Sequence, residues 1–283
     1  MSHNEERGDW WIEGLASMIS GIGYGITNVL AGSPMDVIKT KMQVFDEYKK
    51  LNAFQTAKAV YQRYGIQGFY KGVTGPLLGS SMFRGIQFAS FEAFYTKFKD
   101  NKLMTEKIPY TLGLEPRVIL GGVFSGTCRA TLESPFEYTK VRRQTNNSWV
   151  VKDLYTGFRA TWLKATGLMV TYFTLTDTLR RNTNNFNNKF LTFLTNGFCS
   201  TFAFIIIWPF EIVKNKVQKE NLKKYSINKF IRNNIRENGI IKGLYRGAGP
   251  GLGSVFVRNG TSMIIMQYLQ KFLTKIGFRE TKK

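Results

Sequence analysis

Residues 34–43 decide the fold of this chain, and they read PMDVIKTKMQ. The pattern returns as PFEYTKVRRQ at residues 135–144 and as PFEIVKNKVQ at residues 209–218. Each copy has proline first, an acid two residues later, a base three residues after the acid, and glutamine in last place. One copy would carry little weight, because these residue types often meet by chance. Three copies, each at the end of an apolar stretch, indicate that one supersecondary unit is used three times.

Two of the copies are followed by a short turn that consists of an aromatic residue, a base and a glycine. The turn lies at the same distance from the proline in both copies. Residues 70–72 read YKG and residues 245–247 read YRG, and each glycine stands 38 residues after the proline of its motif. The second copy reads YTG at residues 155–157, only 22 residues after its proline. In the longer copies, apolar residues at helical spacing after Asn52 and Ser226 predict short helices on the matrix surface, with Asn52 as the cap of the first. The second copy is too short for such a helix.

With these motifs the chain resembles the mitochondrial carrier family from about residue 10 to about residue 276. The resemblance implies an all-α membrane protein of the inner mitochondrial membrane. Its six transmembrane helices would form three tandem helix-pair repeats with pseudo-threefold symmetry around a central cavity. We expect the repeats at residues 10–110, 111–185 and 186–278, with a shortened matrix segment in the second.

Six stretches are candidates for crossing a bilayer, although none is purely apolar over 18 residues. They are residues 12–32, 75–98, 114–134, 158–180, 190–208 and 250–275. Six crossings would place both termini on one side of the membrane. Glycines four residues apart, Gly21 with Gly25 and Gly122 with Gly126, predict close approach between helices.

The composition excludes several classes of protein. The net charge of +21 permits nucleic-acid binding, but the bases are spread over all the repeats, and no nucleic-acid-binding motif appears. We therefore expect membrane lipids, and not nucleic acid, as the partner of the basic residues. Cys128 and Cys199 both lie in apolar runs, which predicts packing and not a disulfide. Without a nucleophile–base set, a phosphate-binding glycine loop or a metal-ligand cluster in the sequence, we expect no enzyme activity, cofactor or metal.

The charged residues of the three motifs are expected to form a matrix gate. In a threefold ring each acid could meet a base of the next repeat, and the alternative is six solvated surface charges. The glutamines fall one helical turn after the bases, and the resemblance calls them glutamine braces. The gate residues are Asp36, Lys39, Glu137, Lys140, Glu211 and Lys214, and the braces are Gln43, Gln144 and Gln218.

The resemblance also implies an outer gate at the opposite end, and this gate is incomplete here. The second repeat keeps its acid and base as Asp177 and Arg180. The first keeps only the acid, Glu92, with Tyr95 in place of the base, and the third has no charge there. Because each missing pair removes an attraction, we expect the state that is open to the outside to be favoured.

The resemblance places the solute contacts at positions that are mostly small and neutral in this chain. They are Gly79, Lys164, Ala165, Ser254 and Val255. Lys164 could contact a solute or extend its charge toward the membrane surface. Arg129 and Glu133 could pair with each other or form a polar wall. Arg84 and Arg258 lie several residues deeper in their helices, away from these positions.

The glycine of each aromatic-base-glycine turn opens a helix whose free amides could hold a lipid phosphate. These glycines are Gly72, Gly157 and Gly247. Cardiolipin is the lipid that the resemblance implies, and simple helix capping is the alternative.

Two functions fit this sequence. The first is solute transport by alternating access, with a solute that the contact positions do not identify. The second is a transport-inactive subunit of a large inner-membrane complex, for which the incomplete outer gate and the shortened second repeat argue. We adopt the first, because the matrix-gate motif and its glutamines survive in all three repeats.

Overall fold

The computed structural model is almost entirely helical in the residues that it describes. These are residues 6–7, 9–44, 46–48, 51–70, 72–144, 148, 150–183, 188–222, 225–239, 244–245, 248–278 and 281–282. The helices are α1 (Trp10–Val44), α2 (Ala53–Tyr64), α3 (Thr74–Lys97), α4 (Lys102–Thr105), α5 (Pro116–Gln144), α6 (Phe158–Asn182), α7 (Lys189–Glu220), α8 (Ile227–Asn238) and α9 (Ala248–Lys275). Short 3-10 helices cover Asp46–Tyr48, Ile66–Tyr70 and Val151–Asp153.

Six of these helices are long, and they form a closed ring. Each packs against the next in the order α1, α3, α5, α6, α7 and α9, and α9 packs back against α1. The all-α, six-helix fold expected from the sequence is therefore confirmed. The repeat boundaries at residues 110 and 185 stay a prediction.

The paired glycines let neighbouring helices touch. A Cβ on Gly25 of α1 would lie 2.5 Å from the Cα of Ser81 in α3. A Cβ on Gly122 of α5 would lie 2.9 Å from the Cα of Val170 in α6. Real Cβ atoms do not approach other atoms so closely, so glycine is required for this spacing of the two backbones. The packing interpretation of these glycines is confirmed.

The three motif prolines lie inside helices. Pro34, Pro135 and Pro209 are internal to α1, α5 and α7, and each helix continues beyond its proline. Proline has no backbone N–H to donate, so each helix loses one hydrogen bond at that point. We call the end of the ring that contains these prolines the matrix end and the opposite end the outer end.

The short helices α2 and α8 follow the first and third motifs, as expected. The side chain of Asn52 accepts a hydrogen bond from the Gln55 amide at the start of α2. The side chain of Ser226 does the same for the Lys229 amide at the start of α8. In the second repeat, the described residues between α5 and α6 contain only the 3-10 helix Val151–Asp153. The threefold symmetry is therefore broken where the sequence analysis placed the break.

The two ends of the described chain meet. Strand β1 (Glu6–Arg7) pairs in antiparallel fashion with strand β2 (Thr281–Lys282). This pairing places both termini on one side of the ring, as an even number of crossings requires. Among the described residues, two segments are long and apolar enough to cross a membrane by length and composition alone, Trp10–Ile38 of α1 and Lys189–Gln218 of α7. The other four long helices do not meet this criterion of hydropathy. They are assigned to the membrane because they belong to the same six-helix ring.

Candidate functional site

The ion pairs of the matrix gate join the second and third repeats. The Nζ atom of Lys214 lies 2.9 Å from Glu137 Oε2 and 3.0 Å from Glu211 Oε1. The side chain of Lys214 is only 3 % exposed, so this is not the group of solvated surface charges that was the alternative. The bond from Lys214 to Glu137 connects α7 to α5, and it is a bridge between repeats of the kind expected.

Lys164 of α6 belongs to the same cluster. Its Nζ atom lies 3.2 Å from Glu137 Oε1, 3.3 Å from Glu211 Oε2 and 3.7 Å from Glu133 Oε1. The residue is buried, so it does not extend its charge toward the membrane surface. The structure places this predicted contact residue among the acids of the gate. We call Glu133, Glu137, Glu211, Lys164 and Lys214 the gate cluster.

Among the described side chains, the first repeat contacts α9 and not the gate cluster. The carboxylate of Asp36 pairs with Arg258 of α9, and its expected pairing with a motif base of a neighbouring repeat stays a prediction. Gly32 makes room for the pair with Arg258, because a Cβ there would overlap the guanidinium of Arg258. The absence of a side chain lets the long arginine reach α1. The side chains of Lys39, Lys140, Gln43 and Gln144 lie outside the described residues.

Gln218 does not span the ion pair as expected of a glutamine brace. Its side chain is fully buried, and its Nε2 atom donates to Thr161 Oγ1 of α6 at 3.5 Å. The amide thus links α7 to α6, one helical turn beyond Lys214. Lys164, and not an amide, lies within 3.3 Å of the carboxylates of Glu137 and Glu211.

Arg129 and Glu133 pair with each other, and this interpretation is confirmed. The Nε atom of Arg129 lies 2.5 Å from Glu133 Oε2 and its Nη2 atom 3.3 Å from Oε1. The pair also reaches other helices. Arg129 donates to Gln87 Oε1 of α3 at 2.7 Å, and Glu133 lies beside Lys164. The two residues therefore form part of a polar wall as well.

The other predicted contact positions are small. Around Gly79, a Cβ would meet only Phe83 Cε2, at 3.6 Å. Ala165 is buried, and Val255 is partly buried. The Oγ atom of Ser254 is buried and has no hydrogen-bond partner among the described residues. Of these four positions, Ser254 is the one with a polar side chain to offer a solute.

The outer end contains an ion network that the sequence motifs do not predict. Asp177 accepts hydrogen bonds from Arg181, four residues later, at 2.7 Å and 3.4 Å. Arg181 also donates to Glu115 at 2.5 Å and to the hydroxyl of Tyr95 at 3.2 Å. Tyr95 stands where the family has a base, and it joins the network as an acceptor. The signal that could have revealed this network is the pair of adjacent bases Arg180 and Arg181 at the end of α6.

Aromatic and methionine side chains close the ring near the outer end. The rings of Phe91 and Phe173 stack with centroids 3.6 Å apart, and Phe88 contacts Phe173 edge-on. Met263 and Met266 of α9 are buried in the same core. A cavity of about 70 Å³ remains there, and Glu92, Asp177 and Arg180 are among its lining residues. The preference for a state that is open to the outside stays a prediction.

The turns that open α3 and α6 contain glycines in the left-handed region, with φ of 80° at Gly72 and 83° at Gly157. The hydroxyl of Tyr225 accepts a hydrogen bond from the backbone amide of Ala160, at the start of α6. Burial raises the pKa of this tyrosine, which keeps the hydroxyl neutral. Gly247 lies outside the described residues, and cardiolipin binding at the three turns stays a prediction.

Comparison with known proteins identifies relatives of this chain. The family described as "Mitochondrial carrier protein" matches residues 11–102 and 186–277. A mitochondrial 2-oxodicarboxylate carrier of Rattus norvegicus is 26% identical, over 88% of this chain and 91% of the relative. The mitochondrial 2-oxodicarboxylate carrier 1 of Saccharomyces cerevisiae is 27% identical, over 91% and 92%. A mitochondrial magnesium exporter of Drosophila melanogaster is 26% identical, over 85% and 88%.

Proposed function

The chain belongs to the mitochondrial carrier family, and from that membership we propose that it moves a small solute by alternating access. It is a multi-pass protein of the inner mitochondrial membrane. Members of the family are carriers and not enzymes, which agrees with the absence of a catalytic set from the sequence.

The observation that supports this proposal most directly is the presence of two different closures in one ring. The gate cluster closes the matrix end between the second and third repeats. The stacked rings of Phe91 and Phe173 close the outer end. Alternating access requires two closures that open in turn, and states that differ by only a few kcal/mol. The polar residues between the closures supply the place for a solute.

The relatives do not identify the solute. Their names mention 2-oxodicarboxylates, glycine, ornithine and magnesium, which are anionic, zwitterionic and cationic. The identities lie between 23% and 27%, so no single name transfers to this chain. We therefore propose transport as the function and leave the choice of solute to experiment.

Reconstitution tests the proposal. Purified protein in liposomes that contain a broad metabolite panel should exchange at least one solute with saturable kinetics, and liposomes without protein should not. Failure to exchange any solute, together with co-purification in fixed ratio with a large inner-membrane complex, would reject transport. That pair of results would leave the structural-subunit alternative.

A further inference from the structure

Two arginines converge on one neutral oxygen in the middle of the ring. Arg84 donates from Nη1 to Gln87 Oε1 at 3.1 Å, and Arg129 donates from Nη1 to the same atom at 2.7 Å. Guanidinium groups normally seek carboxylates or phosphates, which they can bind with two hydrogen bonds. A single neutral amide oxygen that accepts from two guanidinium groups neutralises neither charge and leaves most of their N–H donors without this partner.

Arg84 takes part in none of the salt bridges among the described residues. The acid that attracts it is Glu133, which already pairs with Arg129, and the guanidinium carbon of Arg84 lies 5.2 Å from the ring of Tyr24. Arg129 differs, because it forms a salt bridge with the carboxylate of Glu133. A cation inside a membrane helix usually pairs or faces a cavity, so an arginine without a salt bridge is a candidate contact for an anion.

Gln87 provides a second and independent observation. Its side chain is fully buried, and its Nε2 atom has no hydrogen-bond acceptor among the described residues. Buried amide groups are nearly always satisfied, because an unmade hydrogen bond is costly away from water. The Gln87 amide thus has a free donor beside the two arginines that share its oxygen, and its acceptor is missing among the described residues.

Among the described side chains of this region, the charges do not balance. The gate cluster together with Arg84 and Arg129 contains four cations and three anions. The cations are Arg84, Arg129, Lys164 and Lys214, and the anions are Glu133, Glu137 and Glu211. One negative charge would make this set neutral.

We propose that Arg84, Gln87 and Arg129 form a subsite for the carboxylate of a small anionic solute. The inference rests on the proposed transport function and names the class of solute for it. Arg84 lines a small cavity with Tyr24, Tyr172 and Asn259. This cavity holds about 10 Å³ in the closed ring, so the solute enters when the helices separate.

The subsite connects directly to the matrix gate. Arg129 bonds Glu133, and Glu133 lies 3.7 Å from Lys164, which in turn bonds the gate acids Glu137 and Glu211. A solute carboxylate that draws Arg129 away from Glu133 leaves this acid with Lys164 as its partner. Lys164 then moves toward Glu133 and weakens its bonds to the gate acids. Anion binding therefore favours opening of the matrix end, through differential contacts in the two states.

Equilibrium binding to the detergent-purified full chain tests the subsite without requiring transport. Thermal stability is titrated with 2-oxoglutarate, inorganic phosphate or ornithine at constant ionic strength. We expect 2-oxoglutarate to raise the melting temperature saturably, and ornithine to have no effect. The phosphate titration separates a carboxylate subsite from a general anion site, since equal binding of phosphate would overturn the assignment to carboxylates.

Three variants sharpen this test. Arg84→Gln should weaken 2-oxoglutarate binding at least about tenfold, because a charge-assisted hydrogen bond is lost. Gln87→Glu supplies the missing negative charge, so it should raise the melting temperature of the free protein and abolish the response to 2-oxoglutarate. Arg63→Gln is the matched control on the exposed surface of α2, and it should bind as the unaltered protein does.

The results distinguish the subsite from the proposed function. Unaltered 2-oxoglutarate binding in both Arg84→Gln and Gln87→Glu, or the absence of stabilisation in the unaltered protein, overturns the subsite. If Arg84→Gln does not fold, Gln87→Glu decides alone. If the protein binds the anion through Arg84 but shows no flux in liposomes, the subsite stands and the transport function is rejected. If the flux is the same in both variants as in the unaltered protein, the transport function stands and the subsite is rejected.

Discussion

Among the single residues that the structure describes, Lys164 makes the largest number of ion pairs at the closed matrix end. One ammonium group has three N–H donors, and here three carboxylates lie within 4 Å of it. Taking these charges out of water is costly, and only their mutual contacts offset that cost. The lysine therefore cannot be removed alone without leaving buried acids undercompensated.

Lys164→Met tests this interpretation. The variant should lose about 3–5 kcal/mol of stability, the cost of breaking a buried ion pair. The double variant Lys164→Met with Glu137→Gln should recover part of the loss, because it removes the excess acid. Thermal unfolding in detergent measures both, with Lys58→Met on exposed α2 as the control. Equal stability of Lys164→Met and the unaltered protein would contradict the role given to this lysine.

The sequence identifies the members of the gate but not all of their partners. The motif alone predicts that Glu137 and Lys214 meet, since each acid faces a base of the next repeat. It cannot predict that Lys164 joins them, because this residue lies outside the three motifs, on α6. Nor does the motif predict the salt bridge between Asp36 and Arg258, which depends on the space left by Gly32.

At the scale of the helices, small residues set the distance between neighbours. Gly25 lies against Ser81, and Gly122 against Val170, so that α1 touches α3 and α5 touches α6. This part of the fold could be predicted, because glycine at four-residue spacing has a direct steric meaning in membrane helices. The aromatic closure could not, because Phe91 and Phe173 belong to different repeats and their stacking depends on how the two helices rotate.

Gly25→Ala should separate α1 from α3. Its Cβ would lie 2.5 Å from the Cα of Ser81, so the backbones must move apart. We expect a loss of about 1–3 kcal/mol, the usual cost of overpacking. Gly75→Ala is the matched control in α3, since a Cβ there meets nothing within 4 Å. Thermal unfolding should show a loss for the first and none for the second, and equal behaviour of the two would refute the packing argument.

At the scale of the whole molecule, the ring is asymmetric. The second and third repeats are joined by the gate cluster, whereas the first reaches its neighbour α9 through Asp36 and Arg258. A cavity of about 430 Å³ lies on the first repeat at the matrix end, lined in part by Asp36, Lys41 and Arg258. A threefold motif predicts a threefold ring, and the departures follow from residues outside the motif.

Alternating access is the central claim, and Ser254 offers the most direct measurement of it. The residue is at a predicted contact position, and its buried hydroxyl has no partner among the described residues. Ser254→Cys is made in a chain that also carries Cys128→Ser and Cys199→Ser, so that the new thiol is the only one. A membrane-impermeant thiol reagent is then applied to mitoplasts and, separately, to inside-out inner-membrane vesicles.

Lys58→Cys on α2 serves as the control for sidedness, and only the inside-out vesicles should label it. Alternating access predicts that Ser254→Cys is labelled in both preparations, because the centre of the ring opens to each side in turn. Labelling of Ser254→Cys from one side alone, or from neither, would contradict it.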